Sequence, residues 1–184
     1  MVNTESRVYV PDFAVSKEEH DAAIEIVRNT VTPEQVEELE GKLLELPQVD
    51  VPVTHHFQDG IYMREITLPA GTIAIGASHV SDCINMMLTG CMSLMVGGEM
   101  MELRAPAIFT GKARERKVAY TKERSTFVTI HATTETNVDV LDATLTTKSD
   151  TLKAYERRKL EEKALTEPAI VENEPIDLAT TVHA

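Results

Sequence analysis

The chain has 184 residues and a formal net charge of -12, and 42% of its residues are hydrophobic. This length suits one domain with extensions, and the acidic balance excludes general binding to nucleic acids or anionic membranes over the whole surface. No apolar run approaches the roughly 18 residues of a membrane span, and the opening residues lack the basic and apolar regions of a signal peptide. We therefore expect a cytoplasmic protein.

Helices are predicted in the N-terminal segment, residues 1–53. A β-prone piece at residues 7–10 precedes them and is expected to pair with a barrel edge or with a neighbouring subunit. Two capping boxes, each a hydroxyl residue with Glu or Gln three positions later, mark the starts of two helices. Ser16 precedes the first helix, of about 14 residues, and Thr32 precedes the second.

The second helix carries one apolar stripe at helical spacing, formed by Val36, Leu39, Leu43 and Leu46. Its other faces are acidic. The stripe predicts a helical hairpin that covers one end of a barrel or joins a dimer. Binding of a partner by the acidic face is the alternative.

Residues 54–133 are expected to form the core of the fold. Short apolar runs, interrupted by Gly and Pro at regular intervals, predict many short antiparallel strands in a barrel or sandwich. Asp59-Gly60 and Gly97-Gly98 indicate two hairpin turns. Cys83 and Cys91 are expected on adjacent strands of one hairpin. Two buried free thiols are favoured over a disulfide bond, because a single pair of cysteines does not form the framework of several disulfides that is typical of secreted proteins.

The C-terminal part of the chain predicts two helices and an arm. Residues 134–166 contain helical patterns at residues 137–146 and 151–165, and the second has a thin apolar side. Such a helix is expected to rest on a partner subunit or to fray. Residues 167–184 are acidic and contain Pro, so we expect a flexible tail or extended arm.

The glycine pattern of the central part resembles the first motif of the cupins: Gly, five residues, His-x-His, three or four residues, Glu, six residues, Gly. Gly71 and Gly90 match the two glycines, and His79 matches the second histidine. Ala77 stands where the first His belongs and Cys83 where the Glu belongs. The resemblance implies a cupin-like double-stranded β-helix, a jelly-roll barrel, that has lost most of its metal ligands.

A second cupin motif is matched by the run from Ala105-Pro106 into the basic residues that follow. Arg116 or Lys117 stands roughly where the fourth metal ligand belongs, so that ligand is also missing. Within the cupins, residues 53–72, 105–109 and 129–147 resemble small phage-encoded proteins of unassigned role. The resemblance therefore implies no metal and no cofactor.

Residues 112–124 reverse the charge of the chain locally, with six basic residues against two acidic ones. If these side chains point into the barrel mouth, they suit a phosphate, a carboxylate or a nucleotide, because Arg pairs such groups in bidentate fashion. A solvated loop facing the acidic helices is the alternative. The candidate ligand-binding residues are His79, Arg64, Arg116, Lys117, His56 and Tyr62.

Two functional hypotheses follow. The first is a non-enzymatic, phage-type barrel that acts by binding, as a homo-oligomeric structural or assembly subunit of a virion or as a binder of a small anionic ligand such as a nucleotide. Such a protein would lie in the host cytoplasm or on the virion. The second is a metal-dependent cupin oxygenase or isomerase that uses His79 with non-standard ligands, drawn from histidines such as His55, His56 and His131.

Overall fold

A computed structural model describes residues 6–9, 16–49 and 51–166 of the chain. The strands are β1 (Ser6–Tyr9), β2 (Val53–Gln58), β3 (Ile61–Leu68), β4 (Thr72–Gly76), β5 (Ser78–His79), β6 (Cys83–Thr89), β7 (Cys91–Val96), β8 (Glu99–Arg104), β9 (Ala107–Gly111), β10 (Val118–Thr121), β11 (Ser125–Ala132) and β12 (Thr146–Thr147). The helices are α1 (Lys17–Asn29), α2 (Pro33–Leu44), α3 (Val138–Leu145) and α4 (Asp150–Thr166).

Two five-stranded antiparallel sheets form the barrel. Sheet A has the order β1-β4-β10-β7-β8 and sheet B the order β2-β3-β11-β6-β9. The chain passes repeatedly from one sheet to the other, as in a double-sheet jelly roll. The predicted fold class, a mainly β jelly-roll barrel with an N-terminal helical hairpin and C-terminal helices, is confirmed.

Glycines with positive φ place the turns where the sequence indicated them. Gly60 has φ +76°, and Gly97 and Gly98 have φ +57° and +82°. They connect β2 to β3 and β7 to β8, and each pair of strands is hydrogen-bonded as a hairpin.

The prediction of one hairpin carrying both cysteines is wrong. Cys83 begins β6 in sheet B and Cys91 begins β7 in sheet A, because the chain crosses between the sheets at Gly90. Gly90 has φ +88°, and a Cβ there would lie 2.4 Å from the carbonyl oxygen of Arg124. Only glycine fits this crossing. Both cysteines are buried free thiols.

The N-terminal helices begin where the capping boxes indicated. Ser16 caps α1 and Thr32 caps α2, and each box is complete. Val36 and Leu43 of the predicted stripe are buried within the same chain, in a cluster with the sheet A residues Ile73, Ile75, Met95, Val118 and Tyr120. The helices therefore cover the outer face of sheet A and not an end of the barrel. Neighbouring residues of a strand point to opposite faces of the sheet, and in sheet A both sets are apolar, so the outer face also has to be covered.

The β-prone piece at the N-terminus pairs with the barrel. β1 forms antiparallel pairs with the edge of β4, so the barrel edge, and not a neighbouring subunit, is its partner here. Residues 10–15 lie outside the described residues.

The C-terminal helices also lie against the barrel and its helical cover. Asn137 caps α3, whose Leu141 is buried. α4 contacts α2 and buries Leu152, so it rests on its own chain. The predicted tail, residues 167–184, lies outside the described residues. Within them no helix is long and apolar enough to cross a membrane.

Candidate functional site

A cavity of about 110 Å³ lies between the two sheets. This is well above the roughly 10–15 Å³ that one water needs, so the space admits a small organic molecule. Most of its wall is apolar, and α3 covers it with Leu141 and Leu145. The main apolar residues from the sheets are Ile66, Leu68, Ala74, Met92, Leu94, Ala119 and Phe127.

Four of the predicted site residues share this cavity. Tyr62, Arg64, His79 and Lys117 all line it. Strand alternation explains part of the arrangement, because Tyr62 and Arg64 are two positions apart on β3 and so project from the same face. The structure also decides between Arg116 and Lys117, since only Lys117 faces inward.

Two predicted residues lie elsewhere and leave the candidate site. His56 is on the opposite face of its strand, exposed, with its Nε2 3.1 Å from Glu65 Oε2. Arg116 faces the helical cover, where its Nη2 donates to Glu40 Oε1 at 2.5 Å. A buried carboxylate holds this guanidinium outside the barrel.

His131 and Asp142 complete the polar part of the cavity wall. His131 lies directly opposite Tyr62 in the pairing of β11 with β3. The sequence indicated a histidine near a strand end but not the side of the sheet on which its side chain lies. The register of β11 determines that side. Asp142 lies on α3, and no motif identified it.

A stacked pair of histidines forms the centre of the polar wall. His79 Nδ1 is 3.2 Å from His131 Nε2, and the rings lie 5.0 Å apart between centroids at an angle of 11°. Burial lowers the pKa of His79 to about 3, with further lowering from the charges of Lys117, His131 and Arg64. Burial and the charges of Lys117 and Arg64 also lower the pKa of His131. Both imidazoles are therefore neutral at pH 7.

Cationic groups stand beside this neutral pair. Arg64 Nη1 lies 3.5 Å from Asp142 Oδ1, which is a long ion pair. Burial lowers the pKa of Arg64 to about 10, so the guanidinium stays charged at neutral pH. Burial also lowers the pKa of Lys117. The mostly apolar cavity wall thus holds two basic side chains and one carboxylate.

One polar atom in the wall has no protein partner within the described residues. His131 is 5% exposed, and its Nδ1 makes no hydrogen bond there. Buried polar atoms are nearly always hydrogen-bonded, and this nitrogen is one of three such side-chain atoms without a protein partner among the described residues.

The cavity wall fits a metal ion poorly. His79, Cys83 and His131 offer ligand atoms within 4.8 Å of one another. However, burial raises the pKa of the Cys83 thiol, and a thiolate is the form that binds metal. The charges on Lys117 and Arg64, which lower the pKa of His79, also repel a cation. We therefore assign no step to a metal.

No protein-family profile matches the chain, and no curated protein matches it in sequence. Solved structures resemble its barrel. KdgF from Halomonas sp. is 14% identical, with a TM-score of 0.43 over 52% of this chain and 91% of its own. A cupin superfamily protein from Desulfitobacterium hafniense is 14% identical, with a TM-score of 0.40 over 50% of this chain and 85% of its own.

The cupin domain of Schizosaccharomyces pombe Cnp3 is also 14% identical, with a TM-score of 0.40 over 52% of this chain and 69% of its own. Two of these three structures are named as cupin proteins. A fourth match, an acetylacetone dioxygenase from Acinetobacter johnsonii, is named as an enzyme. At this level of identity no activity is transferred to the chain.

Proposed function

We propose that the protein binds a small organic anion with an apolar body in the cavity between the sheets. The observation that carries the proposal is that two buried basic side chains, Arg64 and Lys117, line one largely apolar cavity. A guanidinium that is kept away from bulk water binds a carboxylate or phosphate strongly, through charge-assisted hydrogen bonds.

The size of the cavity restricts the anion. A dry cavity of roughly 150 Å³ takes a molecule such as benzene, and this cavity is smaller, about 110 Å³. A short branched carboxylate fits this size better than a nucleotide, whose base and sugar would have to lie outside. We therefore narrow the anionic ligand expected from the sequence to a small carboxylate or phosphate.

The test is a thermal-shift and calorimetry screen of short carboxylates, phosphates and nucleotides, repeated on two arginine variants. Arg64→Met removes the cavity guanidinium, and Arg104→Met removes an exposed one that is paired with Glu123. Loss of a charge-assisted hydrogen bond costs about 1.5–3 kcal/mol, so Arg64→Met should weaken binding roughly 10- to 150-fold. Arg104→Met should have little effect, because exposed charges are screened.

Two outcomes would contradict the proposal. Equal losses of affinity in the two variants would mean that the anion is attracted by the charge of the whole surface and does not bind in the cavity. No shift with any anion would remove the binding function and leave the structural role in a virion, which rests on the phage-type sequence resemblance alone.

The second candidate function is a metal-dependent enzyme, favoured by the proximity of His79, Cys83 and His131. It predicts about one Fe, Mn, Ni or Zn per chain in protein purified without chelator, lost in His79→Ala. We expect elemental analysis to give far less than one metal ion per chain, because Arg64 and Lys117 oppose a cation at this position.

A further inference from the structure

Lys117 is the buried amine of the cavity. It is 9% exposed and precedes β10, where its backbone oxygen accepts a hydrogen bond from the Gly76 amide at 2.9 Å. Lys117 has no side-chain hydrogen bond or ion pair within the described part of the chain, whereas the exposed Lys112 is paired with Asp82. A buried lysine without a carboxylate partner is unusual, because burial of an unpaired charge is costly.

The fold leaves space for the amine at the end of this side chain. A Cβ on Gly111 would lie 3.1 Å from Lys117 Nζ, 3.0 Å from Cys83 Sγ and 2.5 Å from Asn85 Nδ2. The absence of a side chain at position 111 thus lets the lysine extend beside the thiol and the amide. The apolar wall of the cavity begins at Ala119, two positions further along the same inward face.

These surroundings favour the nucleophilic form of the amine. Burial lowers the pKa of Lys117, against the opposing charges of Cys83 and Glu115. Desolvation in an apolar pocket increases the fraction of a lysine that is neutral at any moment and able to attack a carbonyl group.

We propose that Lys117 forms a reversible imine with a small oxo acid whose carboxylate is held by Arg64 in the cavity. This inference rests on the anion-binding function proposed above and names the class of ligand: a short-chain 2-oxo acid with an apolar body. The carboxylate meets the guanidinium, the carbonyl carbon meets the amine, and the chain lies against Leu94 and Phe127.

The reaction is a condensation without redox change. The lone pair of Lys117 Nζ attacks the carbonyl carbon, and the C=O π pair moves to oxygen, which takes a proton. Nitrogen then loses a proton, the oxygen leaves as water after a second protonation, and the nitrogen of the resulting C=N bond loses its last proton. Solvent water supplies and removes these protons, because a His79 with a pKa of about 3 is too weak a base to take them at neutral pH. Amine plus ketone therefore gives imine plus water.

The test uses the full chain with 2-oxobutanoate, whose short chain suits the size of the cavity, and cyanoborohydride, which reduces an imine to a stable secondary amine. Intact mass and peptide mapping should show about one adduct per chain, located at Lys117. Labelling at Lys117 should be at least about tenfold faster than at Lys112, because a carboxylate held by Arg64 places the carbonyl group beside the amine, and such positioning accelerates a reaction by far more than tenfold. It should also saturate with oxo acid concentration, whereas surface labelling should rise linearly.

Matched variants and a matched ligand separate this inference from the anion-binding proposal. Lys112→Met should keep the adduct, and Lys117→Arg, which retains the charge, should lose it. Butanoate, which has the same chain and carboxylate without the carbonyl, should bind and slow the labelling. Binding of both acids without an adduct at Lys117 would overturn the imine and leave anion binding intact. Failure of both acids to bind, without an adduct, would overturn both proposals.

Discussion

Burial of His79 connects the stability of the barrel to pH. Its pKa is about 3 in the folded chain, against about 6.5 when unfolded. Between these values the unfolded chain binds more protons, so unfolding is favoured as the pH falls. The contribution of the buried, neutral His79 to the free energy of unfolding is complete above about pH 6.5 and is lost progressively towards pH 3. The lowered pKa of His131 acts in the same direction.

We predict that His79→Gln reduces this pH dependence. At pH 5, about 1.5 units below the unfolded pKa, the contribution of His79 to the free energy of unfolding falls by roughly 2 kcal/mol. Lowering the pH from 7 to 5 should therefore reduce the free energy of unfolding by about 2 kcal/mol less in His79→Gln than in the parent. Urea unfolding at the two pH values measures this difference. His56→Gln, at an exposed position outside the cavity, should behave like the parent. The same loss in all three proteins would contradict burial of a neutral His79.

At the same scale, individual residues show what the sequence could predict about the site. Arg64, His79 and Lys117 were identified from charge and motif position, and they share the cavity. Arg116 could not be separated from Lys117, because neighbours in an extended chain face opposite sides and the sequence does not say which faces inward. Glu40, which is 76 positions away in the chain, accepts a hydrogen bond from Arg116 outside the barrel. This contact determines that Arg116 faces outward and Lys117 inward.

At the scale of elements, a buried carboxylate joins the helices to the barrel. Glu40 on α2 is 1% exposed and accepts from Arg116 in the loop before β10 and from Ser149 Oγ at the start of α4. Ser149 Oγ in turn accepts from the Leu152 amide at 3.0 Å. Three separate segments thus depend on one side chain.

Glu40→Ala should therefore destabilise the fold strongly. Removal of one partner from a buried ion pair leaves the other charge uncompensated and costs about 3–5 kcal/mol, and the lower end is expected because Arg116 is 17% exposed. Glu38→Ala on the same helix, which removes an exposed pair with Lys42, should cost less than about 1 kcal/mol. Urea unfolding measures both, and equal costs would mean that Glu40 is not a structural link.

A double variant distinguishes a lost ion pair from a packing defect. Glu40→Leu with Arg116→Met replaces both charges by apolar side chains, a change that is often neutral for a buried pair. It should therefore recover much of the stability lost in Glu40→Ala. A double variant as unstable as Glu40→Ala would assign the loss to packing.

Elements were predictable where their signals are local. The capping boxes at Ser16 and Thr32 gave the starts of α1 and α2, and glycine turns gave the hairpins. The assignment of β6 and β7 to one hairpin failed because Gly90 can end a hairpin strand or lead the chain to the other sheet. Contacts between distant segments decide which of these occurs, and no local pattern encodes them.

At the scale of the whole molecule, the β6–β9 side of the outer face of sheet B is an apolar surface in an acidic chain. Ile84, Met86 and Leu88 project from alternate positions of β6, and Ile108 on β9 lies opposite Met86. Ile108 is 69% exposed. The stripe on α2 that suggested oligomerisation is buried within its own chain, so this face of sheet B is the stronger reason to expect a homo-oligomer.

We predict that a second copy of the chain covers this face. Two copies with a net charge of -12 each repel each other over most of their surfaces, and contact between two uncharged apolar patches minimises that repulsion. Exposed apolar patches of this kind mark interaction sites. The parent should therefore be a dimer by light scattering at micromolar concentration, and a monomeric mass would contradict the prediction.

Ile108→Lys tests where the two copies meet. A lysine at the centre of the apolar patch would be buried without a partner, and a hot-spot loss of about 2 kcal/mol or more corresponds to a dissociation constant weakened roughly 30-fold or more. The matched control is Leu160→Lys on α4, where the parent residue is 61% exposed and lies on the helix that the sequence assigned to a partner contact. Sedimentation over a range of concentrations should show monomers for Ile108→Lys and dimers for Leu160→Lys. The reverse result would move the interface to α4 and leave the outer face of sheet B for a different partner.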